Sequence, residues 1–153
     1  MKEVKKNKKR NVVGIIVFDG ERFLLLHRKL NWVGWEFPKG GIEKNEDPQK
    51  TLARELLEET GIKKFSLTSK IDEVEYQDNK RKKSTFIVNY LVHVSSNSKV
   101  KINNAHIIDK EVVLEHDDFK WCFPKDAIKL LTHKNQKDSM KKAIKLLGLS
   151  LVE

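Results

Sequence analysis

Glu55, Glu58 and Glu59 stand three and four positions apart in the run GGIEKNEDPQKTLARELLEETGI, from Gly40 to Ile62. On an α-helix such positions share one face. Three like charges there repel one another unless something positive sits among them, and a divalent cation is the simplest candidate. Hard Mg²⁺ takes a few carboxylates together with water and phosphate oxygens. A solvated acidic face is the plainer alternative, and it is the usual fate of a charge run. The surrounding residues weigh against it. The run fits G-x5-E-x7-R-E-U-x-E-E-x-G-U, with U a bulky aliphatic residue, through Gly40, Glu46, Arg54, Glu55, Leu56, Glu58, Glu59, Gly61 and Ile62. At ordinary residue frequencies such a match arises by chance roughly once in ten million sequences.

This pattern is the Nudix box, and the chain resembles the Nudix hydrolase superfamily. The resemblance implies an α/β chain with the Nudix fold, an α/β/α sandwich around a mixed β-sheet. It implies hydrolysis of a nucleoside diphosphate linked to another moiety, with divalent metal, Mg²⁺ or alternatively Mn²⁺, neutralising the phosphate oxygens. By motif match Glu58 and Glu59 are expected to ligate the metal, and Glu55 to ligate it or to serve as the base. Arg54 is expected to pair with a glutamate and orient it, Glu46 to be a structural partner, and the Gly40 carbonyl to be a further ligand. Relatives often carry the base outside the box. The candidate here is Glu115, which as an isolated acid would read as a surface residue. His116 beside it reads as a hydrogen-bonded structural group or as a contact to substrate.

Trp35–Gly40 reads WEFPKG and Glu115–Trp121 reads EHDDFKW. Both are similar to segments of diadenosine tetraphosphate hydrolases, W-x-x-P-K-G and E-H-x-x-[YF]-[KR]-W. That resemblance implies asymmetric cleavage of diadenosine tetraphosphate to ATP and AMP. It makes Lys39 a phosphate contact, Tyr76 and Tyr90 candidate stacking platforms for the base, and Lys82, among the basic residues 80–83, a contact for distal phosphate. Asn89 in the long strand and Asn45 in the turn depart from that family's pattern. WEFPKG also looks like decapping Nudix proteins, so an RNA 5′-end pyrophosphohydrolase is the alternative, beside nucleoside triphosphate or ADP-ribose pyrophosphatases. A Nudix-fold binding module, the class that is not an enzyme, usually lacks box glutamates that this chain keeps.

The elements that must position these groups follow from pattern. Val12–Phe18 is an apolar run that reads as a buried strand. Asp19-Gly20 is a hairpin signal, and Phe23–His27 is the returning strand. Trp35–Phe37 is a short extended piece before Pro38. Asp47 and Pro48 open a helix that Gly61 ends. Its apolar face is expected to be Ala53, Leu56 and Leu57, opposite the glutamates. Strands are expected over Phe65–Val74, Ser84–Val94, Val112–Leu114 and Phe119–Phe123, with loop between 95 and 104. Helices are expected over Pro124–Thr132 and Lys137–Leu147, the second with Met140, Ala143, Ile144 and Leu147 as its core stripe.

With 153 residues, 39% of them hydrophobic, the chain suffices for one domain with a core, read as residues 12–150. Its net charge is +9. Residues 1–11 carry more than half of that excess and read as a flexible basic tail. The field suits a polyanionic substrate, whether a dinucleoside polyphosphate, another nucleotide or an RNA end. No apolar run approaches the roughly 20 residues of a membrane span, and no signal peptide is evident. Cys122 is the one cysteine. It is expected to be buried and inert, which suits a reducing, cytoplasmic setting.

Overall fold

The computed structural model describes residues 8–78, 82–102 and 105–151. The elements run β1 (Lys8–Phe18), β2 (Phe23–Arg28), β3 (Gly34–Glu36), β4 (Lys39–Gly41), α1 (Pro48–Thr60), β5 (Ser66–Asp78) and β6 (Lys83–His93). They continue β7 (Ala105–Ile108), β8 (Glu111–Leu114), β9 (His116–Cys122), α2 (Pro124–Leu130) and α3 (Lys134–Leu146). The main sheet has the path β3-β2-β1-β6-β5, with β4 on β1 and β9 on β2. It is mixed, because β1 and β6 are parallel while the other pairs are antiparallel.

Side chains alternate across β1, so the strand feeds two cores. Ile16 and Phe18 join Leu25, Leu91, Ala127, Met140 and Ile144 beneath α2 and α3. Val13, Ile15 and Val17 join Leu24, Leu26, Val92, Leu52 and Leu56 beneath α1. Both faces of the sheet are thus covered, which is the expected α/β/α sandwich. Among the described residues no helix is long and apolar enough to cross a membrane. Cys122 is buried in the first of these cores, and burial raises its thiol pKa.

The centre of the sheet is split. β1 and β2 share one paired position, Phe18 with Phe23, and then part. The segment 34–41 fills the wedge: β3 pairs with β2, β4 pairs with β1, and the Ile15 amide donates to the Pro38 carbonyl at 2.9 Å. On the far side of β2 the register with β9 slips between His27 and Arg28, so that Arg28 faces His116 and Asp117 is left over. Such a bulge re-aims side chains. Here it leaves Asp117 hydrogen-bonded to His27 at 2.6 Å, a bond that lowers the Asp117 pKa, and turns His116 inward to full burial.

Several expectations need correcting. Residues 8–11 are not tail but strand, paired in register with residues 83–86 of β6; residues 1–7 lie outside the described residues. β5 runs to Asp78, β9 starts at His116, α2 stops at Leu130 and α3 starts at Lys134. Ala105–Ile108, for which no element was expected, pairs with β8 in a separate two-stranded sheet. Alternating polar residues hid the extent of β5 and β9, where only one side of each is covered. On α1 the buried residues are Thr51, Leu52, Leu56, Glu59 and Thr60, whereas Ala53 and Leu57 are exposed. The inward stripe therefore runs through Glu59 itself. The three glutamates do not share one solvent-facing side.

Candidate active site

α1 is fixed at both ends. The Asp47 side chain accepts from the Lys50 amide at 2.8 Å, Pro48 fills the first turn, and Gly61 closes the helix at φ 77°. From its middle, Arg54 gathers the box. Its Nε and Nη2 donate to the two Glu46 carboxylate oxygens at 2.8 and 2.9 Å. Nη1 donates to Glu55 at 2.8 Å and Glu58 at 3.3 Å, and Nη2 also donates to the Gly41 carbonyl at 2.9 Å. Only the planar guanidinium offers donors in that fork. The bonds from Arg54 and from the Thr51 hydroxyl hold the Glu46 carboxyl at about 2.

β4 lies beneath this arginine and leaves space for Glu55. A Cβ on Gly40 would stand 1.9 Å from Glu55 Cδ. Glu55 is half-buried, and burial raises its pKa against the pull of Arg54, with the charges of Glu58 and Glu115 adding to the rise. Glu58 is exposed at the rim. Glu59 is 3% exposed and accepts the Lys39 amide at 3.1 Å. Burial pushes its pKa well above the usual carboxylate range, and the charges of Glu115, Glu55 and Glu36 push it further.

Glu36 and Arg28 were given no role in the sequence reading, and they complete the cluster. Glu36 is fully buried in the wedge. It accepts from Arg28 Nη1 at 3.1 Å and from His116 Nε2 at 2.8 Å. Its Oε1 lies 3.2 Å from Lys39 Nζ, an ion pair outside hydrogen-bond geometry. Burial raises the Glu36 pKa, but the His116 bond and the charges of Lys39 and Arg28 together outweigh it and hold the carboxyl at about 2. Arg28 Nη1 also donates to Glu115 at 3.1 Å. The signal for Glu36 was available: a charged residue between Trp35 and Phe37, in a run otherwise suited to burial, must meet cations.

Four carboxylates, Glu36, Glu55, Glu59 and Glu115, thus share one region, with Arg28 and Lys39 on one side and Arg54 on the other. Among the described residues the metal-type group drawn within 4.8 Å is Glu36, Glu115 and His116, not the box glutamates. Glu36 is already neutralised by its own cations, so that trio is an ion-pair network. The residues nevertheless fit a divalent cation beside Glu59. That carboxyl is buried, faces three further carboxylates, and among the described residues has one backbone amide as its hydrogen-bond partner. Its oxygen donors suit hard Mg²⁺ or Mn²⁺.

Lys39 also borders a cleft of about 360 Å³, whose walls include Trp32, Tyr76, Ile87, His133 and Gln136. The structure therefore brings Lys39 and Tyr76 together. It does not bring Tyr90 with them: that ring packs in the core beneath α1, on the other face of the sheet. Lys82 is exposed in the turn before β6, outside the walls of this cleft. Lys80 and Arg81 lie outside the described residues. Asn89 is committed to structure, donating to Asp72 at 2.8 Å and Ser139 at 3.2 Å, and Gly14 leaves the space that its side chain fills.

A model of the NUDIX domain matches residues 8–145. Among solved structures, the C. elegans Ap4A hydrolase binary complex superposes with a TM-score of 0.76 at 22% identity, covering 91% of this chain and 98% of that one. The NUDIX domain of Shewanella oneidensis NrtR, complexed with ADP ribose, gives 0.69 at 18% identity, covering 91% and 88%. These likenesses establish fold. Among curated proteins, an RNA pyrophosphohydrolase of Roseobacter denitrificans is 44% identical over 55 residues, covering 35% of this chain and 34% of that protein. Nudix hydrolase 25 of Arabidopsis thaliana is 37% identical over 60 residues, covering 39% and 34%. The matched segments span about a third of the length of these curated relatives. The box, the wedge that cradles it and the match across most of the chain agree: the protein belongs to the NUDIX domain family.

Proposed function

We propose that the protein is a metal-dependent pyrophosphohydrolase that cleaves a phosphoanhydride bond in a nucleotide substrate. The observation that carries this reading is Glu59, buried against three other carboxylates. Glu55, Glu58, Glu59 and the Gly40 carbonyl would hold the metal, with Glu115 as a further ligand or as the base. When bound there, Mg²⁺ or Mn²⁺ would neutralise phosphate oxygens and lower the pKa of a coordinated water. Arg54 fixes the Glu55 carboxylate while its Glu46 pair anchors the guanidinium. Lys39 stands between the acid cluster and the cleft, where its ammonium can meet a phosphate. Arg28 orients Glu115, which takes the proton of the attacking water; Glu55 is the alternative base. Phosphoryl transfer asks a protein mainly for this positioning and charge stabilisation.

The substrate we favour is a dinucleoside tetraphosphate, with diadenosine tetraphosphate cut asymmetrically to ATP and AMP. The WEFPKG and EHDDFKW segments support it, since their residues Glu36, Lys39, Glu115 and His116 meet in the site. The cleft beside Lys39, with Trp32 and Tyr76 in its walls, suits a nucleoside end; Tyr90 is not part of that proposal. The second reading, an RNA 5′-end pyrophosphohydrolase, is favoured by the names of the curated relatives that match around the box. A cytoplasmic setting fits the lone buried cysteine.

Products from both substrates in ¹⁸O-labelled water separate the readings. ATP and AMP from diadenosine tetraphosphate, with label in one product, support the first. Pyrophosphate release from triphosphorylated RNA alone supports the second. No hydrolysis of either substrate, or of nucleoside triphosphates or ADP-ribose, with Mg²⁺ or Mn²⁺ refutes both.

A further inference from the structure

Gln136 lies in the first turn of α3 and is 6% exposed, yet it borders the cleft. Its carboxamide cannot turn freely. The Phe37 amide, from the wedge between β3 and β4, donates to Gln136 Oε1 at 3.3 Å. A backbone N–H demands an acceptor, so this bond assigns oxygen to the wedge and the NH₂ group to the other side. Among the described residues, Nε2 has no protein acceptor. Asn135 is committed in the same sense: its Oδ1 accepts the Gln136 amide at 2.9 Å, leaving its NH₂. Lys39 adds an ammonium. The cleft therefore offers amide and ammonium donors beside the rings of Trp32 and Tyr76, with His133 in the same wall, while each carboxamide oxygen is turned to a backbone amide.

We infer that Gln136 selects the base held in this cleft by facing its 6-position (purine) or 4-position (pyrimidine), favouring the carbonyl that guanine and uracil carry there over the amino group that adenine and cytosine carry there. This rests on the dinucleoside tetraphosphate reading above and amends it at the base, placing guanine ahead of the adenine of the diadenosine compound. A ring carbonyl accepts from Nε2. An amino group at the same place sets donor against donor and leaves both buried without partners, which costs more than the lost bond alone. A polar site of this kind discriminates better than an apolar slot.

The test compares kcat/KM for the diguanosine and diadenosine tetraphosphates in the full-length protein with Mg²⁺. The wild type is expected to favour guanine at least tenfold. In Gln136→Glu one carboxylate oxygen keeps the Phe37 bond and the other becomes an acceptor. The guanine value should then fall at least tenfold and the adenine value should rise, with the melting temperature within a few degrees of wild type. Gln136→Met should abolish the preference without reversing it. A wild-type ratio within threefold, or a glutamate variant that lowers both substrates alike, overturns the inference. Calorimetry of GMP and AMP with the metal-free protein reads the cleft independently of turnover. Tighter GMP binding supports the assignment even if neither dinucleotide is cleaved, whereas equal binding refutes it. Failure of hydrolysis is thereby distinguished from failure of base selection.

Discussion

Gly40→Ala tests whether the sheet beneath α1 sets the position of a reacting carboxylate. Gly40 has no left-handed backbone angle, so alanine fits the main chain. The difficulty is its methyl group, which would stand 1.9 Å from Glu55 Cδ, 2.1 Å from Oε1 and 2.3 Å from Cγ. Carbon atoms attract at about 3.5–4.0 Å, so the Glu55 side chain must move by roughly 1.5 Å or more. That movement breaks its 2.8 Å bond to Arg54. Misplacement of about 1 Å at a reacting centre costs on the order of a hundredfold. The expected result is a loss of at least about a hundredfold in kcat/KM, near 2.7 kcal/mol of transition-state stabilisation. Stability should change little, since alanine reduces the entropy of the unfolded chain by roughly 0.5–1 kcal/mol and offsets the lost bond. Steady-state kinetics on the cleaved nucleotide, with thermal melts beside them, give the answer. Activity within threefold of wild type would show that Glu55 need not occupy its cradle, and the positional argument would fail.

Three further perturbations follow from the same cluster. Glu59 has a raised folded-state pKa, so its contribution to stability is fully present below the ordinary carboxyl value of 4.5 and is lost as pH rises through the folded value. Metal-free Glu59→Gln should therefore melt higher than wild type at neutral pH and lose the stabilisation that Mg²⁺ gives wild type; melts in EDTA and in Mg²⁺ that leave the two proteins indistinguishable would contradict this. Glu36 has the opposite sign. Its carboxyl is held at about 2, so its share of stability is present above 4.5 and fades as pH falls towards 2. Glu36→Gln leaves Arg28 and Lys39 without their buried partner and should cost about 3 kcal/mol by denaturant titration; a cost under 1 kcal/mol would mean that water replaces the carboxylate. Arg54→Lys keeps the charge but loses the two-pronged grip on Glu46, and should lower kcat at least tenfold with KM little changed; an unchanged kcat would remove Arg54 from the positioning of Glu55.

The box, its helix and the two caps of α1 were legible because their physics is local. Asp47, Pro48 and Gly61 act within a turn of the residues they serve. The strands that read as apolar runs, β1 and β6, were legible for the same reason. What escaped was what depends on a partner distant in the chain. The inward turn of Glu59 follows from which side of α1 meets β1, and helical spacing alone allowed Leu57 to compete with Leu52 for the core. Glu36 and Arg28 gained their roles when the parting of β1 and β2 admitted the segment 34–41 and the bulge in β9 delivered His116. Tyr76 and Tyr90 looked equivalent as rings, but they lie on opposite faces of one sheet, which alternation could decide only once the register of β5 against β6 was known.

The parallel pairing at the heart of the sheet governs when the site can exist. Lys8 pairs with Lys83 and Phe18 with His93, so β1 must wait for a strand made much later. Closing so long a loop is entropically slow and belongs to the late, cooperative part of folding. During synthesis the ribosome would release the whole box before β6 emerges, and Glu115 later still. A chain ending before Lys83 lacks the strand that β1 pairs with in parallel and lacks Glu115 and His116, so Glu36 would have Arg28 and Lys39 but not its histidine.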